Sequence, residues 1–148
     1  MDPDTAATDR AGLTAAWVEY LGSFDWDYAV DIGFRVPVRV ATGRRRVRCW
    51  LRALGPRAYA AVILARGRIE GRLHAHVLLG GVGRRPGTES WVKAKAWRYV
   101  GRAVVQPYSP RVGPRGGMIA YRVADQDHDP GDLTLLGQLR RYRPRRRR

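Results

Sequence analysis

Two of the three histidines of this 148-residue chain stand one residue apart, His74 and His76, in the stretch GRLHAHVLLGG. On an extended strand alternate side chains share a face, so both imidazoles point one way while Leu73, Ala75 and Val77 point the other. Two rings on one face can converge on a single ion, and a divalent cation held there can polarise a phosphate oxygen. The spacing alone fits equally an exposed strand face that happens to carry two histidines.

The charge of the chain narrows the chemistry. Lysine and arginine number 28 against 13 aspartates and glutamates, a formal net charge of +15, and Lys93 and Lys95 are the only lysines. Arginine's planar fork matches phosphate oxygens, and neutralised phosphates release counterions, so a nucleic acid bound with steep salt dependence is the expected partner. A share of the arginine can also reflect a composition rich in Ala, Gly and Val. The single Cys49 excludes an intramolecular disulfide and a thiolate-rich zinc site, which favours a reducing compartment. The first ten residues, MDPDTAATDR, are acidic and polar, and no stretch approaches the ~20 apolar residues of a membrane span. A soluble, cytoplasmic protein with no membrane partner is expected.

The elements that would position the histidines follow from periodicity. Leu13, Ala16, Trp17, Tyr20 and Leu21 draw one apolar stripe on a first helix. YAVDIGFRV alternates, with Tyr28, Val30, Ile32, Phe34 and Val36 on one face and Asp31 and Arg35 on the other, before Pro37 ends the ladder. Thr42 is the expected cap of a helix that turns Val47, Trp50, Leu51 and Leu54 inward and presents Arg44, Arg45, Arg46, Arg48 and Arg52 outward. YAAVILARGRIEGRLHAHVLLGG reads as a hairpin turning through Gly67 to Gly71. A helix is expected from Thr88 or Ser90 to about Tyr99, with Trp91, Ala94 and Trp97 inward and Gly101 as its stop. RAVVQPY offers a fourth strand, MIAYRVADQD a helix ended by DPGD, and LTLLGQL either a strand or a helix.

This order predicts an α+β fold, a central antiparallel sheet of four to five strands flanked by helices, related to RRM-like and ferredoxin-like folds. One domain is expected over residues 1–137, followed by an arginine-rich tail, 138–148, that is disordered when free.

The strand GRLHAHVLL resembles the His-hydrophobic-His strand of the HUH endonuclease superfamily, the metal-dependent tyrosine nucleases that include rolling-circle replication initiators, relaxases and single-tyrosine transposases. The resemblance covers approximately Trp26 to Asp125: an early alternating strand, a helix, a hairpin ending in the histidines, a tryptophan-containing helix, and RGGMIAYRVA with its tyrosine. It implies His74 and His76 as ligands of Mn²⁺ or Mg²⁺ and Tyr121 as the nucleophile that leaves a 5′-phosphotyrosine. Two positions depart from the pattern. Ala65 stands where the family carries an acidic or polar third ligand, and Ala124 stands where a lysine commonly follows the tyrosine. Glu70, Asp31, Asp125 and His128 are the candidates for a replacement ligand or base. Two imidazoles without a carboxylate favour Mn²⁺ over the harder, oxygen-seeking Mg²⁺.

The expected function is therefore a single-stranded DNA endonuclease that nicks and joins at an origin or hairpin. No G-x-x-x-x-G-K-[ST] phosphate loop is present, so it would draw a helicase from the host. Arg44, Arg45, Arg46, Arg48, Arg66, Arg68, Arg72, Arg115 and Arg122 are the candidate DNA contacts. Trp26, Tyr28, Trp50, Tyr59, Trp91, Trp97 and Tyr108 are candidates for base stacking, most of them expected in the core. The alternatives are a non-catalytic basic nucleic-acid-binding protein, for which the histidines are incidental, and a metal-dependent hydrolase that activates water, which the lack of a carboxylate cluster disfavours.

Overall fold

The computed structural model describes residues 3–67, 71–110 and 133–142, with side chains from residue 11 onward. In chain order the elements are α1 (Pro3–Gly22), β1 (Tyr28–Phe34), α2 (Val40–Ala53), β2 (Tyr59–Arg66), β3 (Leu73–Gly80), α3 (Thr88–Tyr99), β4 (Gly101–Pro107) and β5 (Leu133–Leu136). They form an α+β fold with one five-stranded sheet in the order β4-β1-β3-β2-β5, every neighbouring pair antiparallel. The run β1-α2-β2 and the run β3-α3-β4 interleave as two split βαβ units, the ferredoxin-like arrangement, with β5 added at the β2 edge. LTLLGQL therefore contributes a strand.

The sheet separates two apolar layers. Tyr28, Val30, Ile32 and Phe34 of β1, Ala60, Val62 and Leu64 of β2, and Leu73, Ala75, Val77 and Leu79 of β3 face α2 and α3 and form the main core. Trp50 is fully buried there, its indole Nε1 donating to the Val92 carbonyl at 3.4 Å and so tying α2 to α3. Gly43 lets α2 approach closely, since a β-carbon there would lie 2.7 Å from Leu73 Cδ2 and 3.0 Å from Phe34 Cζ. On the opposite face Ala29, Tyr59, Ala61, Ile63 and Leu78 pack with Leu21, Phe24 and Trp26 from the end of α1 and the turn after it. Trp26 is satisfied while buried, Nε1 donating to the Leu21 carbonyl at 2.8 Å.

Several expectations need correction. The α1 stripe packs only at its C-terminal end: Leu21 is buried, but Leu13 and Tyr20 are exposed. Thr42 lies inside α2, whose N-cap is Arg39 with no side-chain cap bond. In α3 the inward residues are Thr88, Val92 and Ala96, while Trp91 and Trp97 face solvent. The tryptophans draw the eye by bulk, but the 3.6-residue period that meets the core runs through the small residues, which is what lets the helix lie close to the sheet. α3 does end at Tyr99 with Val100 as its C-cap, as expected, and Gly101 just after it is also the first residue of β4, where a β-carbon would collide with the Gly33 carbonyl oxygen. The first part of the expected tail is paired: Asp25 N–H donates to the Arg140 carbonyl at 2.9 Å, and Tyr142 N–H to the Ser23 carbonyl at 2.9 Å.

Candidate metal centre

Both histidines project from β3 on the face away from α2 and α3. Strand alternation makes this unavoidable once Leu73, Ala75 and Val77 take the core side. β3 is the central strand of five, so each histidine acquires a neighbour on either side. His76 pairs with Asp31 of β1 and Ile63 of β2, and His74 pairs with Gly33 and Ala65.

The two rings meet edge to face, with centroids 4.7 Å apart and planes at 86°. Their Nε2 atoms lie 3.1 Å apart. That separation lets both nitrogens reach one ion at the ~2.0–2.1 Å of a nitrogen ligand. Without an ion it is a hydrogen bond in which one Nε2 carries the proton and the other accepts it.

On the far side of the His76 ring, Nδ1 lies 2.6 Å from Asp31 Oδ1. A carboxylate there fixes the tautomer with the proton on Nδ1, which leaves the Nε2 lone pair directed at the ion position. His76 is buried at 9 % exposure, bordered by Leu21, Ala61, Ile63, Leu78 and Leu133, while the Asp31 side chain is 36 % exposed, so water screens the contact from the carboxylate side. Asp31 is thus an orienting group on the Nδ1 side of His76, and a place in the ligand shell itself would require a different rotamer.

The donor set fits a divalent ion in part. Two imidazole nitrogens converge with a carboxylate behind one of them, but among the described residues no group of three or more His, Cys, Asp or Glu side chains is arranged to hold a metal. Ala65 sits directly across from His74, at the register position where a ligand from β2 would stand. Glu70, Tyr121, Asp125 and His128 lie outside the described residues, as do Arg68, Arg115 and Arg122.

The sheet is more exposed, among the described residues, on the β1–β4 side of the pair. Among the described residues nothing lies within 4 Å of where a β-carbon on Gly33 would stand. Val104, in register with Asp31 on β4, is 52 % exposed. Arg102 is in register with Gly33 and exposed, which places it on the histidine face with no side chain between its strand and His74. Sequence reasoning did not select Arg102, because only the pairing of β4 with β1 brings it there.

The expected DNA contacts divide by position. Arg66 is tied into its own hairpin, Nη1 donating to the Gly71 carbonyl at 3.2 Å, and Arg72 is exposed just before β3. Arg44, Arg45, Arg46 and Arg48 are on α2, across the sheet from the histidines. Of the aromatic candidates, Trp26, Tyr28, Trp50 and Tyr59 are buried and Tyr108 is half-buried. Trp97 is 55 % exposed with the Arg35 guanidinium 5.0 Å from its ring centre, and Arg35 Nη2 also donates to the Arg98 carbonyl at 3.1 Å.

Burial raises the phenols of Tyr28 and Tyr108, and that of Tyr59 is pushed up to about 12, first by burial and then by the carboxylates of Asp25 and Asp27. All three stay protonated at neutral pH, so none of them is an activated nucleophile.

Among the described residues no helix is long and apolar enough to cross a membrane. No protein-family model, no curated protein and no solved structure matches this chain.

Proposed function

We propose that the chain is a metal-dependent, HUH-type endonuclease that nicks and rejoins single-stranded DNA, in the initiation of rolling-circle replication or the mobilisation of an element. The observation that carries this reading is the approach of His74 Nε2 and His76 Nε2 to 3.1 Å, with Asp31 on the Nδ1 of His76. Mn²⁺ or Mg²⁺ bound by the two histidines would supply Lewis-acid stabilisation of charge on the scissile phosphate.

The chain's own residues account for the other requirements. Asp31 holds the His76 tautomer, and Gly33 leaves the β1 side of His74 without a side chain. Arg102 supplies a positive charge on the same face, in a chain where Ala124 replaces the family's lysine. Tyr121 is the nucleophile of the proposal: its Oη bonds to phosphorus while the bond from phosphorus to the 3′ oxygen breaks. The phenol proton passes to a neighbouring base or water, and the departing oxygen takes up a proton as the 3′-hydroxyl, leaving a 5′-phosphotyrosine. Rejoining is the reverse. Glu70, Asp125 and His128 are the candidates for the missing ligand or the base, and unwinding would fall to a host helicase.

The test is a covalent adduct. Incubated with a pool of single-stranded DNA and Mn²⁺, the wild-type chain forms a protein–DNA species that survives a denaturing gel and is absent in Tyr121→Phe and in His74→Ala/His76→Ala. An adduct undiminished in Tyr121→Phe sinks the nucleophile assignment.

A second reading, a non-catalytic nucleic-acid-binding protein derived from such a nuclease, is favoured by Ala65 standing across from His74 where a ligand would be needed. It predicts salt-dependent DNA binding with no adduct on any sequence.

A further inference from the structure

The positive charge of the helical layer lies on the side of the sheet away from the histidines. α2 carries five arginines and no acidic residue, and its neighbour α3 adds Lys93, Lys95 and Arg98 against Glu89. The described side chains of α1, on the histidine side, include Glu19 and no basic residue.

Within α2, Arg44, Arg48 and Arg52 are exposed and follow one another at four-residue spacing, because Gly43, Val47, Trp50 and Leu51 occupy the buried side. Four residues of helix rise ~6 Å, so the row is a straight line of guanidinium groups ~12 Å long at its base. Within α2 only Arg52, in the last turn, is favourably placed for the helix dipole. Like charges at four-residue spacing repel, Arg39 at the N-cap adds a cation at the positive end of the helix dipole, and the first turn holds no acidic residue. A helix whose charge pattern opposes its own stability is explained by an anionic partner that neutralises it.

The form of that anion follows from what α2 lacks. Proteins that hold single strands without sequence preference pair their cations with exposed aromatic rings for base stacking. The one aromatic residue of α2, Trp50, is fully buried. Trp91 and Trp97, the exposed rings of this layer, lie on α3, and the Trp97 ring is already faced by the Arg35 guanidinium at 5.0 Å. Exposed arginines at fixed spacing on a rigid rod, with no exposed ring on α2 itself, suit the outside of a duplex, where phosphates are regularly spaced and the bases are already stacked.

We infer that the Arg44–Arg48–Arg52 row of α2 is a docking surface for the phosphate backbone of double-stranded DNA, separated from the histidine centre by the thickness of the sheet. This surface rests on the nucleic-acid part of the proposed function and not on its cleavage chemistry. It would let one protein hold a duplex on the helical layer while a single-stranded segment occupies the histidine face.

The experiment compares a fluorescent 20-base-pair DNA duplex with a single strand of one of its sequences, by anisotropy over a salt series, using the full chain. Variants are Arg44→Gln/Arg48→Gln/Arg52→Gln and the charge-retaining Arg44→Lys/Arg48→Lys/Arg52→Lys, each checked for an unchanged melting temperature. Duplex affinity is expected to fall at least ~10-fold more than single-strand affinity in the glutamine variant. The slope of log affinity against log salt for the duplex should drop by ~3, one unit or slightly less per lost phosphate contact. The lysine variant should restore most of that slope. Failure of the wild-type chain to bind the duplex, an unchanged duplex affinity in the glutamine variant, or an equal loss for duplex and single strand would each overturn the inference. The nuclease reading stands or falls separately, in the adduct assay on the wild-type chain.

Discussion

Asp31 and His76 face each other across the β1–β3 ladder, and Asp31 Oδ1 lies 2.6 Å from the ring nitrogen that points away from His74. This contact makes the pair more than two histidines on a strand, because it sets which nitrogen of His76 presents a lone pair. Replacing Asp31 by Asn keeps the size and removes the charge. Mn²⁺ affinity should fall ~10–100-fold, the usual loss when an orienting partner of a ligating imidazole is removed. Titration calorimetry reads it directly, and an unchanged affinity would show that Asp31 serves the fold alone.

Metal binding to the native state also registers as stability. Mn²⁺ at ~100 times its dissociation constant should stabilise the folded chain by ~2.7 kcal/mol, a rise of several degrees in melting temperature. His74→Ala/His76→Ala should melt at the same temperature with and without the ion. A shift that persists in the double variant places the bound metal elsewhere.

Tyr59 supplies a prediction independent of function. Its buried phenol donates to the Asp25 carbonyl, and its pKa is raised to about 12. Below pH ~10 the phenol is protonated in folded and unfolded chains alike, so it contributes no pH dependence. From pH ~10 to about 12 the unfolded chain gives up the proton and the folded chain keeps it, so stability falls with rising pH across that window. Tyr59→Phe should cost ~1 kcal/mol at neutral pH through the lost hydrogen bond. In urea titrations between pH 9 and 12 the variant should also show a shallower alkaline decline than the wild type.

Gly43→Val tests how tightly α2 is seated. Its β-carbon would stand 2.7 Å from Leu73 Cδ2 and 3.0 Å from Phe34 Cζ, so the helix must lift or those side chains must leave their wells. A loss of ~1–3 kcal/mol is expected from this overpacking. Urea unfolding with an unchanged denaturant slope would register it as a pure stability effect.

Much of this architecture is legible in the residues alone. Alternation in YAVDIGF and LHAHVLLG settles that these are strands and which side chains share a face, because the two-residue period of a strand is a local property. The amphipathic pattern of VATGRRRVRCWLRA likewise settles which side of α2 is buried. For α3 the same reasoning chose the wrong face, since Trp91 and Trp97 suggested a core that Val92 and Ala96 form. Apolar bulk is ambiguous when two faces of a helix both carry it, and only the distance available above the sheet selects the smaller set.

What the tertiary structure decided is which strands lie beside β3. The order β4-β1-β3-β2-β5 places Asp31 on His76, Ala65 across from His74, and Arg102 in the row that passes over Gly33. His76 is 45 residues from Asp31 along the chain, and no local pattern encodes a contact closed over that span. The sequence determined that two imidazoles share a face; the sheet order decided that a carboxylate stands behind one of them, and that the arginines of α2 lie on the other side.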